Sequence, residues 1–153
     1  MDDLSIRTAR LTDLPELAEI FRLASLSNEG DRQHLLDNPQ HLELTDESIR
    51  TGRLRLAETA TRPVGFATVA GDGPVVELED LFVHPDWMRR GIATRLIADA
   101  VEQSRLRSAT KIEVTANPHA NAFYEQVGFK ATASVDTAFG PGARMELPIP
   151  VTG

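Results

Sequence analysis

Residues 86–96 read DWMRRGIATRL, and Arg89, Arg90 and Gly91 stand where an amphipathic helix opens. Ile92, Leu96, Ile97, Ala100 and Val101 follow at helical spacing and give that helix one apolar side. No Ser, Thr, Asp or Asn occupies the natural cap position. The first amide groups therefore lack a side-chain acceptor and carry the positive end of the helix dipole. Phosphate suits such a place. Gly91 has no Cβ and lets an anion approach the backbone, and Ala93 is nearly as small. Two arginines oppose the dipole of an empty helix, and a bound polyanion makes their placement favourable. The plainer reading is a loop with two exposed arginines and a glycine that relieves strain. The missing cap and the adverse charges favour the anion.

Two other stretches hold groups able to move protons. VVELEDLFV, residues 75–83, carries Glu77, Glu79 and Asp80. Its alternation changes phase: Val76 and Leu78 are apolar at even positions, Leu81 and Val83 at odd ones. A bulge would absorb the change and free backbone groups from the ladder. A strand buried on both faces would show it too, and Phe82 points that way. NPHANAFYEQVGF, residues 117–129, places Ala120, Phe123, Tyr124 and Val127 on one helical face. Asn117 can cap that helix, Pro118 can open it, and Gly128 suits the position just past its end. Taken alone, Tyr124 reads as a core aromatic. His34, His41, His84 and His119 form no helical metal pair, so no metal site is expected. Neither HExxH nor GxSxG occurs.

These groups need a frame. LSIRTAR reads as a strand, and TDLPELAEIFRLA as a helix with Leu14, Leu17, Ile20, Phe21 and Ala24 in phase. Thr12 or Asp13 can cap it. Residues 25–52 are polar, broken by Gly30 and Pro39, and fit one or two short helices with a mobile connection. RLRLAET and PVGFATVAG are strands joined by a hairpin at ATR, and GDG is a turn. KIEVTA and GFKATAS are further strands, and FGPGARMELPI closes the chain as loop and strand. Helices and strands alternate in the second half, which predicts a parallel pair with a crossover helix. The fold class is α/β (α+β): a mixed sheet with helices on both faces, in a single domain over residues 1–153.

The 153 residues suffice for one core. The 16 basic and 23 acidic residues give a net charge of -7, which argues against a nucleic-acid partner and is compatible with a cationic substrate. No apolar run approaches the roughly 20 residues of a membrane span, and the start does not read as a signal peptide. The lack of cysteine excludes disulfides and thiolate chemistry and fits a cytoplasmic protein.

VHPDWMRRGIATRLI resembles the acyl-CoA signature of the GNAT superfamily of N-acetyltransferases, Q/R-x-x-G-x-G/A, at Met88 to Ala93. Met88 departs from the family's Gln or Arg, which costs one polar side chain near the pyrophosphate. The later stretch matches N-x-x-A-x-x-F/L-Y-x-x-x-G-F at Asn117, Ala120, Phe123, Tyr124, Gly128 and Phe129. Element order agrees along the whole chain. The resemblance implies a mostly antiparallel sheet of about seven strands, with a bulged, splayed strand beside the coenzyme.

The resemblance implies acetyl transfer from acetyl-CoA to a primary amine of a small molecule or peptide. Its pyrophosphate would lie on the amides of Arg89, Arg90, Gly91, Ile92, Ala93 and Thr94. The pantetheine would run beside Leu81, Phe82 and Val83, with Asn117 and Phe123 near it. The Val83 amide would face the thioester oxygen as it gains charge. A lysine-like amine has a pKa of about 10.4, so its proton must be removed before attack. Glu77 occupies the position of a catalytic glutamate in some members, Glu79 is the neighbouring candidate, and water relays are common in the family. Tyr124 would protonate the departing thiolate. The competing readings are a non-catalytic acyl-CoA sensor and an unrelated nucleotide-binding domain, the latter lacking GxxxxGK[ST] and GxGxxG fingerprints. Residues 23–52 should shape the acceptor site. Oligomeric state stays open, a homodimer included.

Overall fold

The structure is a computed structural model, and it describes residues 4–27, 29–42, 44–137 and 140–150. The chain runs through β1 (Ser5–Thr8), α1 (Leu14–Leu26), α2 (Glu29–Asp37), α3 (Glu47–Arg50), β2 (Leu54–Glu58), β3 (Pro63–Ala70) and β4 (Val75–Val83). It continues through α4 (Ile92–Leu106), β5 (Lys111–Ala116), α5 (Asn121–Gln126), β6 (Lys130–Thr137) and β7 (Gly140–Pro148). Short 3-10 turns precede α1, follow α2 and precede α4. The strand order is β1-β2-β3-β4-β5-β7-β6. β4 and β5 are parallel, while β1–β2, β2–β3, β5–β7 and β6–β7 are antiparallel. The expected parallel pair is thus β4–β5, with α4 as its crossover.

Two compact units share this chain. The first comprises Met1–Thr68 and Asp80–Leu96. Its core is Ala9, Leu17, Ile20, Ile49, Leu54, Leu56 and Phe66, with Leu14, Phe21 and Phe82 packed against it. Leu17, Ile20 and Phe21 reach that core from α1 because they recur at helical spacing. Leu54 and Leu56 reach it from alternate positions of β2. β3 is buried on both faces over Pro63–Thr68, as its unbroken apolar run demands. Gly65 has a specific job there. A Cβ on it would lie 3.0 Å from the Phe82 carbonyl oxygen and 3.3 Å from the Ile92 side chain. The first turn of α4 seats directly over this glycine.

The second unit comprises Val69–Glu79 and Ile97–Gly153. Ile112, Val114 and Ala116 are buried, whereas Lys111, Glu113 and Thr115 between them are not. That alternation makes β5 amphipathic, with a charged ladder on one face. Gly142 of β7 has no room for a Cβ, which would collide with the Ala116 carbonyl oxygen and the Thr137 methyl. β6 is the edge strand, exposed along Lys130–Ser134, and its register with β7 shifts between Ala131 and Ala133.

Two local expectations are corrected. Asp13 does not cap α1 with its side chain, because Arg7 and the Arg10 amide take its carboxylate. Residues 25–52 hold two short helices, α2 and α3, as expected, with a 3-10 turn at Pro39–Leu42 between them. The helix expected from Pro118 begins at Asn121, since Pro118–Ala120 form a turn closed by Ala120 N–H donating to the Asn117 carbonyl at 2.9 Å.

In the first unit, Arg7 locks β1 to its neighbours. It donates to both oxygens of Asp13 at 2.9 and 3.0 Å and to both of Glu58 at 2.8 and 3.2 Å. The Arg7 guanidinium holds the Asp13 carboxyl below its ordinary range, and burial opposes this less strongly.

Candidate active site

The first unit carries the turn into α4. His84 N–H donates to the Val64 carbonyl at 2.8 Å, which ties the end of β4 to β3. A 3-10 turn over Pro85–Trp87 follows, and the His84 Nδ1 accepts from the Asp86 amide at 3.1 Å. Arg89 then takes φ +63 and Gly91 φ +78. Left-handed backbone is routine for glycine and strained for arginine. Arg95 N–H donates to the Gly91 carbonyl at 3.0 Å, so Gly91 holds the cap position. It has no side chain with which to satisfy the amides that follow. A Cβ built on Gly91 meets nothing within 4 Å, so the space beside the helix start is open.

The flanking side chains have different surroundings. Ile92 is buried, Ala93 half-buried, and Arg89, Arg90 and Thr94 exposed. The Arg90 guanidinium stacks over Trp87, 4.7 Å from the ring centre. That contact orients the guanidinium without neutralising it. Met88 is 50% exposed. On β4, Phe82 makes an edge contact with Phe21 at 4.8 Å and lies 5.6 Å from Phe66. Phe82 is half-buried, and its ring packs against the core. Leu81 is half-buried too and Val83 is buried, so residues of both parities are at least partly covered at this end.

The second unit carries the remaining candidates. Tyr124 is 9% exposed, with Phe123 at 5.5 Å and Phe129 at 5.3 Å, both edge-on. Its ring therefore packs as a core aromatic. Asn117 and Phe123 are half-buried. Glu79 is exposed. Glu77 accepts from Arg144 through both oxygens, at 2.8 and 2.9 Å. Arg144 also donates to Thr115 at 2.8 Å and Glu113 at 3.2 Å. These carboxylates, Glu77 first, hold the guanidinium proton more tightly than usual. Arg144 was absent from the sequence reading. The strand ARMEL alternates, but nothing in it says which acid, two strands away, its arginine would meet.

His119 is exposed, and the side chains of His34 and His41 lie outside what the structure describes. Among the described residues no group of three potential ligands is gathered for a metal, and no helix is long and apolar enough to cross a membrane.

The fold is that of a mixed α/β sheet protein with a parallel β4–β5 pair, and solved structures share it. The PaiA N-acetyltransferase of Thermoplasma acidophilum, in complex with coenzyme A, superposes with TM-score 0.73 over 95% of this chain and 98% of its own, at 18% identity. The ribosomal-protein-S18-alanine N-acetyltransferase of Escherichia coli does so with TM-score 0.72 over 98% and 96%, at 21% identity. In sequence, the chain is 28% identical over 89 residues to the N-acetyltransferase ycf52 of Porphyra purpurea, covering 58% of this chain. It spans about half (51%) of the length of that relative. The model of the acetyltransferase (GNAT) domain matches residues 36–140. The chain belongs to the GNAT acetyltransferase family.

Proposed function

We propose that this chain transfers an acetyl group from acetyl-CoA to a primary amine, and that residues 1–153 make up one acetyltransferase domain. Family membership supports the reading, and one observation carries it. The α4 start combines left-handed Arg89 and Gly91, a cap position without a side chain and open space beside the glycine. Successive amides turned by left-handed residues make a concave donor set for a diphosphate. The amides from Arg89 to Thr94 hold the pyrophosphate, with the Arg89 and Arg90 charges beside it. The pantetheine pairs with backbone of Leu81 and Val83, and Asn117 and Phe123 steady it.

In the reaction the amine nitrogen bonds to the thioester carbonyl carbon and the carbon–sulfur bond breaks. The Val83 amide steadies the oxygen as it gains charge. Tyr124 donates its phenolic proton to the leaving thiolate. The proton lost by the amine goes to Glu79, the exposed one of the two candidate glutamates. The acidic balance of the chain favours a cationic acceptor. A cytoplasmic setting accords with the lack of cysteine.

Thiol release from acetyl-CoA, screened against spermidine, an aminoglycoside and a peptide amine, tests the reading. Amine-dependent release is expected. Acetyl-CoA binding without release to any of them would point to a sensor. No calorimetric heat with either CoA or acetyl-CoA would overturn the donor site.

A further inference from the structure

The parallel ladder between β4 and β5 pairs Val75 with Lys111, Val76 with Ile112 and Glu77 with Glu113. Its last rung sets two carboxylates directly opposite each other. Like charges facing across a ladder are destabilising. Arg144 of β7, paired with Thr115 of β5, answers this charge. Its guanidinium donates to both oxygens of Glu77 at 2.8 and 2.9 Å and to Glu113 at 3.2 Å. Lys111 serves the other side of Glu113 at 3.8 Å while bonding Glu146 at 3.0 Å. A planar, bidentate fork is the geometry that locks a carboxylate in place.

Resting on the acetyl-transfer reading, we propose that Arg144 and Glu77 form a strut that fixes the end of the β4–β5 ladder. Glu77 there holds Arg144 and takes no proton from the substrate. A general base must take up the ammonium proton, and a protonated carboxyl no longer binds a guanidinium as its counter-charge. Both oxygens of Glu77 accept from one guanidinium, and protonating either would discharge the fork that holds Arg144. Arg144 is a positioning residue: it sets where β4 leaves β5, four residues before the Leu81 backbone assigned to the pantetheine.

A mutant cycle tests the strut. Glu77→Gln and Arg144→Met should each weaken acetyl-CoA binding by about five- to tenfold and lower the melting temperature. The double variant should be no worse than either single one. Adding Glu113→Gln to Arg144→Met should restore part of the lost melting temperature, because one of the two facing charges is gone. The acidic limb of the kcat profile should persist in Glu77→Gln. If Glu77→Gln instead abolishes that limb, with acetyl-CoA affinity and melting temperature unchanged, Glu77 is the base and the strut is wrong. Additive losses in the double variant would also overturn it. Failure of the wild-type protein to bind acetyl-CoA would sink the transfer reading alone, since the melting-temperature cycle needs no coenzyme.

Discussion

Tyr124 joins two roles in one side chain. Its ring packs edge-on against Phe123 and Phe129, and its hydroxyl is the proposed acid. Tyr124→Phe separates them, because the ring stays and the oxygen goes. It should leave thermal unfolding within about 1 kcal/mol of wild type, the worth of a typical hydrogen bond. Amine-dependent CoA release should fall by about 10²–10⁴-fold, the span of general acid–base catalysis. Unchanged turnover would remove Tyr124 from the chemistry. At this scale, features set by a residue's own backbone or local neighbours were legible in the sequence. The place of Gly91 at the opening of α4 was legible because a missing cap and a glycine are adjacent facts. Arg144 was not, because its partners are 67, 31 and 29 residues away, and only strand order brings them together. The Arg90–Trp87 stack lies within one turn, yet an aromatic three residues from an arginine has no distinctive signal.

At the scale of elements, the turn into α4 allows conformation and space to be measured separately. Gly91 has φ +78, and a Cβ there meets nothing within 4 Å. Gly91→Ala should therefore lose only the cost of left-handed backbone, about 1 kcal/mol. For a chain of this size that lowers the melting temperature by about 2–4 °C. Calorimetry should show CoA affinity falling by about tenfold or more, because the new methyl occupies the space beside the amides. Equal affinity in the two proteins would mean that the diphosphate lies elsewhere. Element existence was largely readable from periodicity: β4 and β5 have the bounds that alternation suggested. Boundaries governed by competing hydrogen bonds were not. Asp13 could cap a helix, but the charge-assisted bonds from Arg7 outweigh a cap. Asn117 could open α5, but its carbonyl closes a turn first. Polar residues 25–52 lacked a continuous apolar face, so the helices there stayed ill-defined until tertiary contacts placed Ile49 in the core.

For the molecule as a whole, acid sensitivity should follow the carboxylates that arginines hold. Asp13 titrates below its unfolded value because Arg7 binds its charged form. The resulting stability is present above the unfolded carboxyl pKa of about 3.9 and is lost as pH falls through the folded value. Asp13→Asn should cost about 1–3 kcal/mol at neutral pH, as expected for hydrogen bonds to a charged partner. Denaturant melts should show the gap closing below about pH 3.9 as the wild-type carboxyl is protonated. A gap constant with pH would mean that shape, not charge, makes Asp13 useful.

Trp87 is the sole indole of the chain, half-buried beside the Arg90 guanidinium at the approach to α4. Ultraviolet emission excited near the red edge of protein absorption thus originates from one address. The turn proposed to receive the coenzyme carries its own optical reporter, and no dye need be attached to watch it.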